Sequence, residues 1–211
     1  MIAYVKCSID DVEANYELFL KRQSSSFTTA QRRFQYQMLK AHNIYRSRHC
    51  APRLILDDDL SHSAQMYAEK LAETNHFQHS DAEDYGENIF MIKSTNKIEN
   101  IHGESVILVF FCINYWVRIS GANVTRLWYD EIKLYDFGNP QFSPATGHFT
   151  QVIWRESKML GVGFAIGRDN SRYTLFVVAQ YSPGGNIHAY FSENVLLSQC
   201  WISINKLSLS I

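Results

Sequence analysis

Apolar side chains recur along this chain with two different periods. Phe34, Met38, Ala41 and Tyr45 stand three or four positions apart, so residues 31–47 are predicted to form an amphipathic helix. Cys50-Ala51-Pro52 closes it, because proline disfavours helical backbone at the residue before it. Asp57, Asp58 and Asp59 suit the positive end of a following helix, whose apolar face is Leu60, Ala64, Tyr67, Ala68 and Leu71. That helix is predicted over 59–74. A polar turn at 81–86 leads into Asn88-Ile89-Phe90-Met91-Ile92, a short strand or buried segment. Trp128, Ile132 and Tyr135 predict a third helix over 123–135, and 139–147, with Pro140 and Pro144, is a loop.

The period then changes. Val162, Phe164 and Ile166 alternate with Gly163, Ala165 and Gly167, and residues 173–181 are rich in β-formers. Arg168-Asp169-Asn170-Ser171 between them is a turn sequence, so a β-hairpin is predicted. Helices first and strands later point to an α+β fold in layers.

Two regions stand outside this pattern. Residues 1–30 read as an N-terminal extension, with a polar linker at 23–29 that carries Phe27. Residues 105–117 (SVILVFFCINYWV) are uncharged and almost wholly apolar. They are too short to span a bilayer, and an exposed Val106–Phe111 would be prone to β-aggregation.

Composition narrows the class. The 211 residues are 46% hydrophobic and 19% charged, too apolar for a disordered chain. A formal charge of -1 supplies no basic field, so nucleic acid is not an expected partner. Cys7, Cys50, Cys112 and Cys200 form no C-x-x-C pair and read as scattered free thiols of a reducing compartment. The N-terminus has four acidic residues by position 17, which does not read as a secretory signal. Residue 2 is not glycine, which excludes N-myristoylation.

Four stretches together carry a family signature: KAHNIYR at 40–46, GEN at 86–88, GHFTQVIW at 147–154 and AQYSPGGN at 179–186. They resemble the CAP superfamily of cysteine-rich secretory proteins, antigen 5 and pathogenesis-related 1 proteins, over residues 34–196. The chain is most similar to the Golgi-associated plant pathogenesis-related branch. WYDEIK at 128–133 matches that branch, and Ala179 stands where secreted members carry a disulfide cysteine. The resemblance implies a three-layer α-β-α sandwich with a central antiparallel sheet. It divides the chain into an extension (1–30), a CAP domain (31–197) and a C-terminal tail (198–211). The family pattern fails at 99–121. That insert reads in three ways: a membrane-docking finger, a surface for a partner subunit, or sequence joined by an incorrect gene model.

The resemblance also implies a cleft of four side chains: His79, Glu87, Glu131 and His148. Two neutral imidazoles suit zinc, and a carboxylate on the other ring nitrogen fixes the tautomer. His79 and His148 are therefore the expected metal ligands, with Glu87 and Glu131 orienting them or bridging through water. Two protein ligands make a weak site, released by protonation near the reference histidine pKa of about 6.5. The same four groups could equally form a purely structural polar cluster. Ser80 adjoins His79, but the sequence has no G-x-S-x-G elbow and no H-E-x-x-H helix. His42 reads as a bonded core histidine, and Pro183-Gly184-Gly185 as a turn. The sequon at Asn123-Val124-Thr125 is expected to be unused.

The function implied by the resemblance is non-enzymatic binding of lipid or sterol, with association to anionic membranes or to a second copy of the chain. Aromatics between Phe137 and Phe149 could line an apolar groove, and Lys93, Lys97 and Lys133 could form a basic patch. The expected location is intracellular, on Golgi-like endomembranes or in the cytoplasm. Two alternatives stand beside this reading: a zinc-dependent hydrolase using the same cleft, and a secreted defence-type effector.

Overall fold

The computed structural model describes residues 27–81, 84–94, 99–100, 107–111, 115–168 and 172–198. Most of the N-terminal extension and nearly all of the tail lie outside these residues, as do Lys97 and three of the four cysteines.

Helix α1 spans Thr29–Arg48 and opens with a reciprocal cap. The Thr28 hydroxyl accepts the Gln31 N–H, and the Gln31 side chain accepts the Thr28 N–H. Strand β1 is Ile55–Leu56, and α2 spans Asp58–Thr74, capped by the Asp57 carboxylate on the Leu60 N–H. Strand β2 is Gly86–Ser94. Residues of the insert form β3 (Glu99–Asn100), β4 (Ile107–Phe111) and β5 (Tyr115–Ile119), paired antiparallel in that order as a separate small sheet. Helix α3 (Gly121–Tyr129) runs into a 3-10 turn at Asp130–Leu134, so the predicted third helix is tightened in its second half. The remaining elements are α4 (Gly147–Ile153), β6 (Met159–Arg168), β7 (Tyr173–Ser182), a 3-10 turn at His188–Tyr190 and a terminal turn of helix, α5 (Phe191–Asn194).

The main sheet has the order β1-β6-β7-β2. It is antiparallel except for β1, which runs parallel to β6 over two residues. The alternation along β7 separates two cores. Leu175, Val177, Ala179 and Tyr181 face a cluster with Phe34, Met38, Trp128, Phe149 and Trp154 from α1, α3, α4 and the residue after it. Phe176 and Val178 face Ala64, Ala68 and Leu71 of α2. The architecture is therefore mixed α and β, with helices on both faces of the sheet.

Two features let α2 lie close on β6. A Cβ at Gly163 would fall 2.3 Å from the Gln65 Cα, so only glycine allows that approach. The edge of β6 left open by the short β1 is closed by side chains. The Gln65 amide bonds both N–H and C=O of Phe164, Ser61 Oγ accepts the Val162 N–H, and Gln35 donates to the Val162 C=O.

The buried Arg46 ties α1 to the loop after α4. Its guanidinium donates to the carbonyls of Pro52, Val152, Trp154 and Ser157. One sequence expectation is corrected here: Cys50 is disulfide-bonded, not a free thiol. Spacing excludes a C-x-x-C pair but does not reveal which distant cysteines the fold brings together.

Candidate functional site

The four side chains implied by the resemblance are arranged as two imidazole–carboxylate pairs beside the N-terminal end of β2. Glu87 is the second residue of β2 and is held by several donors. Its Oε1 accepts the Ser80 N–H (2.9 Å) and lies 3.0 Å from His79 Nδ1, and its Oε2 accepts from Gln180 Nε2 (3.2 Å). Glu87 and Gln180 are register partners across β2 and β7, which places them on the α2 face. Burial pushes the Glu87 carboxyl upward, but the bonds from His79, Ser80 and Gln180 outweigh it and hold the group below its ordinary value. The Glu87 side chain is 6% exposed and that of His79 is 57% exposed, so the carboxylate is the fixed member.

The second pair is built on the start of α4. Thr146, before the helix, supplies no side-chain cap. Glu131, on the 3-10 turn after α3, does this instead. Its Oε2 accepts the N–H groups of His148 and Phe149, both at 3.1 Å, and its Oε1 lies 2.6 Å from His148 Nδ1. One carboxylate thus satisfies two orphan helix donors and orients the imidazole. The Trp128 indole lies nearly parallel to the His148 ring, with centroids 6.0 Å apart and planes 12° apart.

Successive residues of β2 serve the two pairs. Glu87 holds His79, while Asn88 points to the other face and donates to the His148 carbonyl at 3.0 Å. Among the described residues, no group of three or more His, Cys, Asp or Glu is arranged to hold a metal ion. The donor set is therefore two imidazoles, each with Nδ1 turned to a carboxylate. Gln180 adds a buried acceptor: its Oε1 has no hydrogen-bond partner among the described residues. Each pair thus offers one imidazole nitrogen, and the described residues do not fit a closed four-ligand zinc site.

The contacts also explain why the motif blocks occur together. The Gly185 N–H donates to Gln151 Oε1, Thr150 donates to Asn186 Oδ1, and Asn186 donates to the Gly147 carbonyl. The turn after β7 therefore fastens α4 at its first residue.

Other expectations fare differently. Phe149 is fully buried and lines no open groove, Phe137 is half-buried against the same core, and Phe142, at 48% exposure, faces solvent. Lys133 is paired with Asp130 at 3.5 Å, Lys93 is exposed on β2, and Lys97 lies outside the described residues. Ser80 gives its N–H to Glu87, and its hydroxyl is drawn to the same carboxylate. Asn88, Trp128, Gln180 and Tyr181 support the site and were not singled out from sequence. All but Gln180 and Tyr181, which lie in AQYSPGGN, stand in GEN or WYDEIK.

A family model described as "CAP: Cysteine-rich secretory protein family" matches residues 39–181. The chain is 37% identical over 172 residues to the human Golgi-associated plant pathogenesis-related protein 1, covering 80% of this chain and 96% of that one. It is 30% identical over 178 residues to the Secreted protein RBT4 of Candida albicans, but spans only 41% of that longer protein and 79% of itself. The structure of BmVAL-1 superposes with a TM-score of 0.61 at 22% identity, covering 83% of this chain and 85% of that one. The crystal structure of NaASP2 with Zn2+ gives 0.53 at 18% identity, covering 82% and 90%. The two solved structures share the fold.

Proposed function

This chain belongs to the cysteine-rich secretory protein (CAP) family, and from that premise we propose that it acts by binding rather than catalysis, its paired imidazoles forming a weak site for a divalent cation such as zinc. The observation that carries this reading is the bonding of each ring. A carboxylate accepts only, so Nδ1 of a neutral His79 or His148 carries the proton and Nε2 keeps its lone pair, the form in which imidazole binds a metal. A solved relative in fold that contains Zn2+ supports the same chemistry. A bound cation would supply local positive charge and a polarised water.

The one serine beside the site is engaged by Glu87, which gives a serine-nucleophile mechanism no support among the described residues and leaves metal-activated water as the hydrolytic alternative. The zinc-dependent hydrolase reading makes the opposite prediction. Purified protein with added zinc should leave peptide and ester libraries uncut; turnover that disappears in His148→Ala would establish the hydrolase instead.

Lipid or sterol binding and attachment to anionic membranes complete the proposal. They rest on the family resemblance and on apolar side chains around the cleft-bearing loops: Leu134, Phe142 and Ile187 are 70%, 48% and 47% exposed. Flotation with anionic vesicles tests this, and recovery of all protein in the pellet fraction argues against it. The bonded Cys50 favours a compartment of the secretory route over the cytoplasm. The names of a Golgi-associated and a secreted relative are compatible with that placement. Non-reducing peptide mapping of the endogenous protein that finds Cys50 alkylatable would contradict it.

A further inference from the structure

We propose that Asn88, Tyr181 and His42 form a buried positioning chain that sets the direction of the His148 imidazole. The inference rests on the reading of His148 as a cleft ligand and extends it to residues beneath the cleft. The bonding has one consistent direction. His42 Nδ1 lies 2.7 Å from the Met38 carbonyl, which can only accept, so Nδ1 carries the ring proton. Nε2 is then an acceptor, and the Tyr181 hydroxyl at 2.8 Å must donate to it. The Tyr181 oxygen in turn accepts from Asn88 Nδ2 at 3.2 Å. The same amide nitrogen donates its second hydrogen to the His148 carbonyl at 3.0 Å.

All three side chains are essentially sealed from water, at 1% exposure for Asn88 and 0% for Tyr181 and His42. Burial also keeps the imidazole and the phenol uncharged across the neutral range. The chain is therefore a fixed strut and not a route for protons. A second contact joins its ends. Trp128 meets His42 edge-on, with centroids 6.4 Å apart at 72°, and lies parallel to the His148 ring. His148 is thus held at its backbone carbonyl by Asn88, at its N–H and Nδ1 by Glu131, and at its ring face by Trp128. Among the described residues, no hydrogen bond is made by Nε2, which is left to meet a ligand.

Tyr181→Phe removes one hydroxyl and keeps the ring. Titration calorimetry with zinc should show affinity weakened by about tenfold, in the range seen when an outer partner of a metal-binding histidine is lost. Hydrogen exchange at the His148 and Phe149 amides should accelerate, while amides of β6 and β7 away from position 181 keep wild-type protection. Asn88→Ser, which removes the amide joining Tyr181 to the His148 carbonyl but keeps the Tyr181 hydroxyl on His42, should do the same and serves if Tyr181→Phe does not fold. Zinc affinity within about twofold of wild type, with exchange raised evenly over the whole fold, would overturn the proposal and leave a merely stabilising network. If wild-type protein binds no zinc, the cation-site reading fails, and the localised exchange at His148 and Phe149 still decides the positioning role.

Discussion

Acid should destabilise this fold through the ring of His42. The side chain is fully buried, and its pKa is lowered from 6.5 to about 3, chiefly by burial; the Met38 carbonyl opposes the change and the nearby Arg46 charge reinforces it. In the unfolded chain the ring returns to its ordinary value. The unfolded state then binds a proton that the native state refuses, so stability rises with pH across this window. The contribution is fully present above about pH 6.5 and is lost progressively as the pH falls towards about 3. A gap of about 3.5 between the two pKa values, at about 1.36 kcal/mol each, gives about 5 kcal/mol in all, of which roughly 3 kcal/mol is gone by about pH 4. That is a large share of the roughly 5–15 kcal/mol by which domains are stable. His49, also lowered by burial, acts in the same direction, so wild-type data alone do not isolate the effect. His42→Gln does. Its stability at neutral pH is reduced by lost hydrogen bonds, but it has no proton to take up on unfolding. Urea denaturation followed by tryptophan fluorescence, at several values from neutral to about pH 4, should show the wild-type advantage shrinking by about 3 kcal/mol. Parallel curves for the two proteins would refute the reasoning.

Other perturbations act on different parts of the structure. Gly163→Ala puts a methyl group against the backbone of α2 and should cost about 1–3 kcal/mol in denaturant titration, whereas Gly138→Ala, which meets only the Asp136 side chain at 3.2 Å, should stay near wild type. Arg46→Met leaves several buried carbonyls without their donor and should cost about 3 kcal/mol or more, read as a fall in midpoint with little change in slope. Glu131→Ala removes the acceptor for two helix N–H groups and should cost about 1–2 kcal/mol; calorimetry should also show zinc binding about ten- to a hundredfold weaker.

Much of the scaffold is legible in the sequence. The helical spacing of Phe34, Met38 and Ala41 marks α1, and the glycine alternation at 161–167 marks the strand on which α2 lies. The failures have physical causes. Periodicity cannot distinguish α-helix from the tighter turn at 130–134, because both place residues three or four apart on one side. It cannot show that Gln65 spends its amide on the open edge of β6, since that bond joins residues 99 positions apart. The disulfide at Cys50 escapes for the same reason. The cleft residues come from motif resemblance and not from spacing. His79 and His148 lie on a loop and a short helix that β2 and β7 relate through the fold, and the motifs carry no sign that Glu131 serves as a helix cap.

The proposed function requires one ion shared by two imidazoles that lie far apart in the chain. Zinc titration by calorimetry of wild type, His79→Ala and His148→Ala tests this most directly. The prediction is one zinc per chain in the wild type, with each single substitution weakening binding by at least about tenfold. Wild-type affinity retained in either variant, or two independent ions per chain, would contradict it.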